Sequence, residues 1–200
     1  MTKKKISPAS SRVRIIAGTH RGRKIPVANV AGLRPTGDRL RETLFNWLEP
    51  YIEGSEVLDA YAGTGALAFE ALSRGANRAT LFDSSTIAVK QLKESAEMLS
   101  ANAEIYARDA LQFFKSVTKP NAGGSFKGFD IIFLDPPFSD SLLQESVDRL
   151  AQSSLLSPRA IIYIEQARSQ TRISVPTNWQ LLREKTTGEV SCKLYQRHST

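Results

Sequence analysis

Ten residues, 129–138, constrain this chain most: Phe-Asp-Ile-Ile-Phe-Leu-Asp-Pro-Pro-Phe. The apolar run over 131–134 is unbroken, which is what a parallel strand covered on both faces requires. The run then ends within one residue. Asp135 puts a carboxylate at the strand's carboxyl end. Pro136 and Pro137, with fixed φ and no N–H, stop the strand and stiffen the turn. Phe138 sets an aromatic ring on that stiff loop. In an open α/β sheet, ligands bind in the crevice beyond the carboxyl ends of the strands. A rigid carboxylate–carbonyl–ring unit there suits a flat base with an exocyclic amino group. Asp135 and the Pro136 carbonyl would accept from the amine, and Phe138 would stack on the base. A plain turn with a core ring is the competing reading of the same residues.

The rest of the chain supplies a sheet for that strand. Strand patterns fall at 56–61, 78–82, 104–107, 129–134 and 160–165, separated by helical patterns such as Val89, Leu92, Ala96 and Leu99. Ser84 or Ser85 is placed to cap the helix that carries this stripe. Two further strands, 179–184 and 190–196, are joined only through Thr186-Thr187-Gly188, so they must pair antiparallel. The expectation is an α/β fold with a seven-stranded, mostly parallel, doubly wound sheet containing one antiparallel strand.

Ahead of it, residues 1–11 read as a flexible basic tail, and 12–35 as an N-terminal β-hairpin extension. Residues 36–200 read as the catalytic domain. Within the extension, Arg12-Val13-Arg14-Ile15-Ile16 alternates, 18–23 turn, and 24–27 return. Arg34-Pro35-Thr36-Gly37 then breaks the chain before a helix whose apolar stripe is Leu40, Leu44, Trp47 and Leu48. Arg39, Arg41, Glu42 and Asn46 fall away from it.

Charge is placed unevenly. Residues 1–50 carry a net +8 and the remaining 150 a net −1. A basic end on a neutral body is the footprint of a polyanion binder. Arg21, Arg23 and Lys24 at the hairpin tip suit phosphate, and Arg34 and Arg41 suit phosphate or a ligand carboxylate. The lone cysteine, Cys192, excludes an internal disulfide and reads as a small core residue. With only two histidines there is no metal cluster to propose. No apolar run approaches the ~20 residues of a membrane span. The basic, acid-free start lacks an apolar segment of the kind a secretory signal has. The expected setting is the cytoplasm.

A second motif sits on the first central strand. Asp59-Ala60-Tyr61-Ala62-Gly63-Thr64-Gly65 is a glycine-rich strand-to-helix turn. Read literally, it opens a dinucleotide pattern, with Asp83 about 20 residues on for a ribose. Two features favour S-adenosylmethionine instead. Asp59, at the strand end, offers a partner for the donor's ammonium group or an ordering water. Asp135 ends the strand expected beside it. Asp83 is assigned to the ribose hydroxyls, and Asp109, with Ala110 next to it, to the adenine. Each of these acids also has a plain reading as a helix cap or turn residue.

These stretches together resemble the bacterial 16S rRNA (guanine-N2)-methyltransferases of the RsmD type. The resemblance runs from Arg14 to Arg197. It rests on Arg14-Ile15-Ile16-Ala17-Gly18 with Arg21-Gly22-Arg23-Lys24, on Gly32-Leu33-Arg34-Pro35-Thr36, and on Asp38-Arg39 with Arg41-Glu42-Thr43-Leu44-Phe45-Asn46-Trp47-Leu48. Ala62-Gly63-Thr64-Gly65 and Asp135-Pro136-Pro137-Phe138 complete it. The last two motifs are shared by many amino-methyltransferases; the stretch from Arg34 to Leu48 is the specific one. The resemblance implies a class I, Rossmann-like methyltransferase fold and S-adenosylmethionine as cofactor. It also implies methylation of a guanine N2 in small-subunit rRNA, within an assembling ribosomal particle. The chain is expected to act as a monomer. Two departures stand out. Such enzymes often carry Glu where Asp83 stands, with a further Asp near Ser85, and commonly Asn where Asp109 stands.

In this reading Asp135, Pro136 and Phe138 are catalytic. Asp59, Gly63, Gly65, Asp83, Asp109 and Ala110 hold the cofactor. Arg21, Arg23, Lys24, Arg34 and Arg41 bind RNA. Three alternatives compete: an adenine-N6 or cytosine-N4 DNA methyltransferase, a non-catalytic ribosome-assembly factor with this fold, and a nicotinamide oxidoreductase.

Overall fold

The computed structural model describes residues 12–27, 37–116, 127–137 and 141–198. Two short strands, β1 (Arg12–Arg14) and β2 (Lys24–Pro26), form an antiparallel ribbon with Val13 opposite Ile25. Period-2 alternation puts Val13 and Ile25 inward, while Arg12, Arg14 and Lys24 stand exposed on the outer face.

The main unit alternates strand and helix: α1 (Asp38–Ile52), β3 (Glu56–Asp59), α2 (Ala66–Ser73), β4 (Arg78–Asp83), α3 (Thr86–Leu99), β5 (Ala103–Ala107), α4 (Ala110–Ser116), β6 (Phe129–Leu134), α5 (Leu142–Gln152), β7 (Leu156–Ala167), β8 (Trp179–Thr187) and β9 (Val190–Arg197). The sheet order is β5-β4-β3-β6-β7-β9-β8, and β9 alone runs against its neighbours. This is the seven-stranded, mostly parallel sheet that the alternation predicts. Progression reverses between β3 and β6, so the ligand crevice of a doubly wound sheet opens at the carboxyl ends of these two strands.

Both faces are covered. On one, Val57, Phe133, Tyr163 and Cys192 pack against α1, α2 and α3. On the other, Leu58, Ile132, Leu134 and Ile162 pack against α4 and α5. The ribbon's inner residues Val13, Ile15 and Ile25 belong to the first cluster, so the ribbon is layered onto the main core.

Helix α1 departs from its expected stripe. Phe45, not Trp47, is fully buried, 6.2 Å from the Phe133 ring; Trp47 is half-buried. Arg41 is the larger correction. Expected on an accessible face, it is 0% exposed. Its Nη2 donates to Asp38 Oδ1 at 2.7 Å and to the Arg14 carbonyl at 2.9 Å, and its Nη1 lies 3.9 Å from Glu70 Oε2. Glu70, equally buried, accepts the Ile16 and Ala17 amides and Arg74 Nε. A buried guanidinium needs a partner charge, and the Glu70 carboxylate with Asp38 provides it. Arg41 therefore ties α1, α2 and the ribbon together and has no surface left for RNA.

Candidate active site

Strand register sets the depth of each acid. Asp59 is level with Phe133 on one side and Leu81 on the other. Asp135 and Asp83 each lie two residues further along their strands, about 7 Å beyond Asp59. The three carboxylates thus line one edge of the sheet, with Asp59 at the bottom of the crevice.

The turn above Asp59 is built by glycine. Gly63 and Gly65 take φ of +53° and +75°, in the left-handed region that L side chains avoid. A Cβ on Gly65 would also fall 2.4 Å from the Phe69 ring and 2.7 Å from Leu92, so backbone, helix and core can meet only without it. The turn is anchored from three sides. The Gly63 amide donates to Asp83 Oδ2 at 2.9 Å, the Ala62 amide to the Phe82 carbonyl, and Tyr61 Oη lies 2.6 Å from Ser146 Oγ in α5. The Ser146 hydroxyl donates to the Leu142 carbonyl, which leaves Tyr61 as donor in that pair.

Asp59 is 2% exposed. Burial pushes its carboxyl up to about 7, and the neighbouring charge of Asp83 adds to this. The backbone N–H groups of Ala68 and Tyr61 pull it back. Its first task is to cap α2, where Ala68 is one of the unpaired amides of the first turn. Its second property is electrostatic. A buried carboxylate beneath an open turn is stabilised by any cation that settles above it.

Asp83 is fixed as a strut. Oδ2 takes the Gly63 amide and Oδ1 the Ser85 amide at 2.8 Å, which locks the β3–α2 and β4–α3 turns to each other. Each oxygen retains a second lone pair toward a ligand hydroxyl. Ser85, rather than Ser84, caps α3 by accepting the Ala88 amide. Asp109 accepts the Gln112 amide at 2.9 Å and so caps α4, with Ala110 buried behind it. Phe82 stacks with Tyr106 at 5.4 Å and meets Phe113 at 4.4 Å, an aromatic wall between Asp83 and Asp109 that the sequence reading missed. Its signal was present as aromatics near the ends of two successive strands, β4 and β5, with a third in the helix that follows.

Asp135 follows directly on β6 and is half-buried, with Pro136 buried and Pro137 exposed. Phe138 and Arg34 lie outside the described residues. Arg21, Arg23 and Lys24 are exposed.

The ribbon runs the opposite way from what its tip suggested. Thr19 and His20 dock on Ser73, the last residue of α2, and Arg23 Nη2 donates to the Met98 carbonyl at the end of α3. Both helices begin at the crevice and end at the far side of the sheet, so the tip is about 12 Å of helix away from the glycine turn. The open end of the ribbon is the near end. Arg14 meets Asp38, in the first turn of α1, at 3.9 Å. Further along α1, Thr43 accepts Lys185 Nζ, and Lys185 is paired through Cys192 to the level of Glu165 near the carboxyl end of β7.

No helix among the described residues is long and apolar enough to cross a membrane, and none of their His, Cys, Asp and Glu side chains group to hold a metal.

The family described as Conserved hypothetical protein 95 matches residues 13–196. Ribosomal RNA small subunit methyltransferase D of Haemophilus influenzae is 47% identical over 192 residues, covering 94% of this chain and 95% of that protein. The Escherichia coli protein of the same name is 42% identical over 198 residues, covering 98% and 96%. Among solved structures, a putative methyltransferase from Escherichia coli superposes with a TM-score of 0.83 at 40% identity, covering 95% of this chain and all of that one.

Proposed function

From the premise that this chain belongs to the ribosomal RNA small subunit methyltransferase D family, we propose that it methylates the exocyclic N2 amine of a guanine in 16S rRNA, within an assembling small ribosomal subunit. The observation that carries the proposal is Asp135 with Pro136 at the end of β6, beside the glycine turn of β3 at the switch point of the sheet.

The residues at the turn fit S-adenosylmethionine. Buried Asp59 suits an ammonium group, Asp83 suits ribose hydroxyls, and the Phe82–Tyr106–Phe113 wall with Asp109 suits a purine. When bound, this cofactor supplies an electrophilic methyl on a sulfonium leaving group. The chain's own work is on the acceptor. A guanine N2 lone pair is delocalised into the ring and is a poor nucleophile. By accepting its two N–H bonds, Asp135 and the Pro136 carbonyl hold the amine, favour its pyramidal form and aim the lone pair. No strong base is needed beforehand, because the methylated, cationic amine is acidic and sheds its proton afterwards. A base within paired RNA must leave its stack to reach this position.

RNA approaches over the outer face of the ribbon. Arg12, Arg14 and Lys24 share that face at its crevice end, and Arg39 in the first turn of α1 continues it. Phosphate contacts of this kind position the substrate and carry no sequence information.

The test is transfer of labelled methyl from S-adenosylmethionine to small-subunit particles, naked small-subunit rRNA and duplex DNA in parallel, with digestion to nucleosides. Label in N2-methylguanosine, from particles or rRNA, is expected. Label in adenine or cytosine of DNA overturns the substrate. A protein that fails to bind the donor is not this enzyme.

A further inference from the structure

We propose that Glu165 is a specificity-determining residue: its carboxylate accepts the N1–H of the target guanine while Asp135 and the Pro136 carbonyl hold the adjacent N2 amine. The inference rests on the guanine-N2 reading above and deepens it.

Strands β6 and β7 are parallel neighbours, with Phe133 level with Tyr163 and Leu134 with Ile164. The pairing ends at that pair. Carried one residue further, the same register would set Asp135 beside Glu165, at one strand spacing of about 4.8 Å. Both point to the same side of the sheet. Glu165 is paired across to Cys192 and its Oε2 accepts the Tyr163 hydroxyl at 2.7 Å; Tyr163 and Cys192 both belong to the cluster that holds Phe133. Asp135 follows Phe133 by two residues and so shares that face. The phenol of Tyr163 is pushed well above its ordinary range, by burial first and then by the charge of Glu165, with Asp135 among the further causes. Both carboxylates are therefore electrostatically close to one buried ring.

Glu165 is 5% exposed, which is unusual for an acid at the end of a strand. The Tyr163 hydroxyl fixes one of its oxygens and so orients the group. Gln166, the next residue, lies level with Pro136 on the other face. It is 6% exposed, and its Oε1 has no hydrogen-bond partner. The strand end is thus rich in acceptors on both faces.

Base chemistry then selects the substrate. In guanine, the amine at C2 is flanked by N1–H, a donor. In adenine, the amine at C6 is flanked by N1, an acceptor. In cytosine, the amine at C4 is flanked by N3, also an acceptor. Two adjacent carboxylates form an acceptor pair that only the guanine edge satisfies. Adenine or cytosine would set a ring nitrogen lone pair against Glu165, and a buried acceptor facing an acceptor is strongly disfavoured. A site built to bind a donor rejects an analogue lacking it by up to about 10⁴–10⁵. This also separates the guanine reading from the DNA amino-methyltransferase, which shares Asp-Pro-Pro-Phe chemistry but needs the opposite partner beside the amine.

The test uses 2-aminopurine, which keeps the 2-amine and lacks N1–H. Once labelling has mapped the nucleotide, particles carrying guanine or 2-aminopurine at that position are made by splinted ligation. They are assayed in single turnover with wild type and with Glu165→Gln. Wild type is expected to prefer guanine by roughly 10² or more. In Glu165→Gln the ratio should fall toward one, because an amide can donate to N1 as well as accept, while donor affinity stays unchanged. A purely structural role would slow both substrates equally and leave the ratio intact, which overturns the proposal; so does a wild-type ratio near one. If Glu165→Gln no longer binds the donor, Glu165→Asp is read for the same ratio, with a fall supporting and constancy refuting. Label in a base other than guanine, in wild type, defeats the guanine reading itself and this inference with it.

Discussion

Replacing Asp59 with Asn should reverse the protein's stability ranking between acid and alkaline pH. In the folded chain the Asp59 carboxyl is raised from 3.8 to about 7, first by burial and then by Asp83. A rise of that size, at 1.36 kcal/mol per pH unit, makes the ionised form cost on the order of 4 kcal/mol relative to the unfolded chain. The sign follows from proton counting. Between pH 4 and 7 the folded state holds a proton that the unfolded state has released. This contribution is therefore whole below pH 3.8 and is lost as pH rises through 7. Asn cannot ionise, so it escapes the loss. It can accept the Ala68 amide through its oxygen, but its NH₂ then faces the Tyr61 amide, a mismatch costing about 1–3 kcal/mol. Asp59→Asn should accordingly be less stable than wild type at pH 4, draw level with it as pH rises through about 5–6, and be more stable, by roughly 1–3 kcal/mol, at pH 8. Urea unfolding of the two proteins at pH 4, 5, 6, 7 and 8, with m-values checked for constancy, measures the difference directly. A difference that stays flat across that range would refute the electrostatic reasoning. The stabilised variant should also bind S-adenosylmethionine more weakly, because the charge that destabilises the empty turn is the one assigned to the ammonium group.

Three further outcomes are expected. Asp135→Ala should remove most single-turnover activity with little change in donor affinity; equal turnover would remove Asp135 from the chemistry. Charge reversal at the crevice end of the ribbon, Arg12→Glu with Arg14→Glu, should weaken RNA binding and flatten its salt slope by close to one unit per lost phosphate contact. Arg21→Glu with Arg23→Glu at the distant tip should do less, and the opposite order would put the RNA path at the tip. Glu70→Gln should destabilise the fold by up to about 3–5 kcal/mol, because it removes the buried charge that faces both Arg41 and Arg74 and leaves Arg41 to Asp38 alone. Amide exchange at Ile16 and Ala17 should accelerate with it; protected amides would mean that the ribbon is held by its apolar side alone.

The strands and the crevice were legible because their signals are local. An unbroken apolar run, a glycine turn and an acid at each strand end are all read within a few residues, and each reappears in the sheet. Arg41 was not legible. Read as falling away from the Leu40–Leu44–Leu48 stripe, it stands three residues before Leu44 and seven before Leu48 and so on the buried face. Nothing near it in sequence announces Glu70, the buried carboxylate in another helix that faces it. The same distance hid Phe45, whose burial depends on the Phe133 ring. Glu165 was passed over as the end of an apolar strand. Only the β6–β7 register, extended one residue past the Leu134–Ile164 pair, suggests that it lies near Asp135.

The ribbon illustrates the remaining gap between pattern and placement. Its sequence marks both a basic tip and basic outer positions, and a tip is the natural guess for a contact that reaches out. Which end faces the substrate is decided by α2, because Ser73 at its C-terminal end fixes the tip and Glu70 one turn earlier fixes Ile16 and Ala17. Since α2 starts at the glycine turn, any chain segment docked on its end must lie at the far side of the sheet. The positive charge on the outer rungs then becomes the part that can guide a polyanion into the crevice. The same helix thus carries the glycine turn at one end and orients the ribbon with the other, so that the proposed substrate path and cofactor site would both be set by a single element.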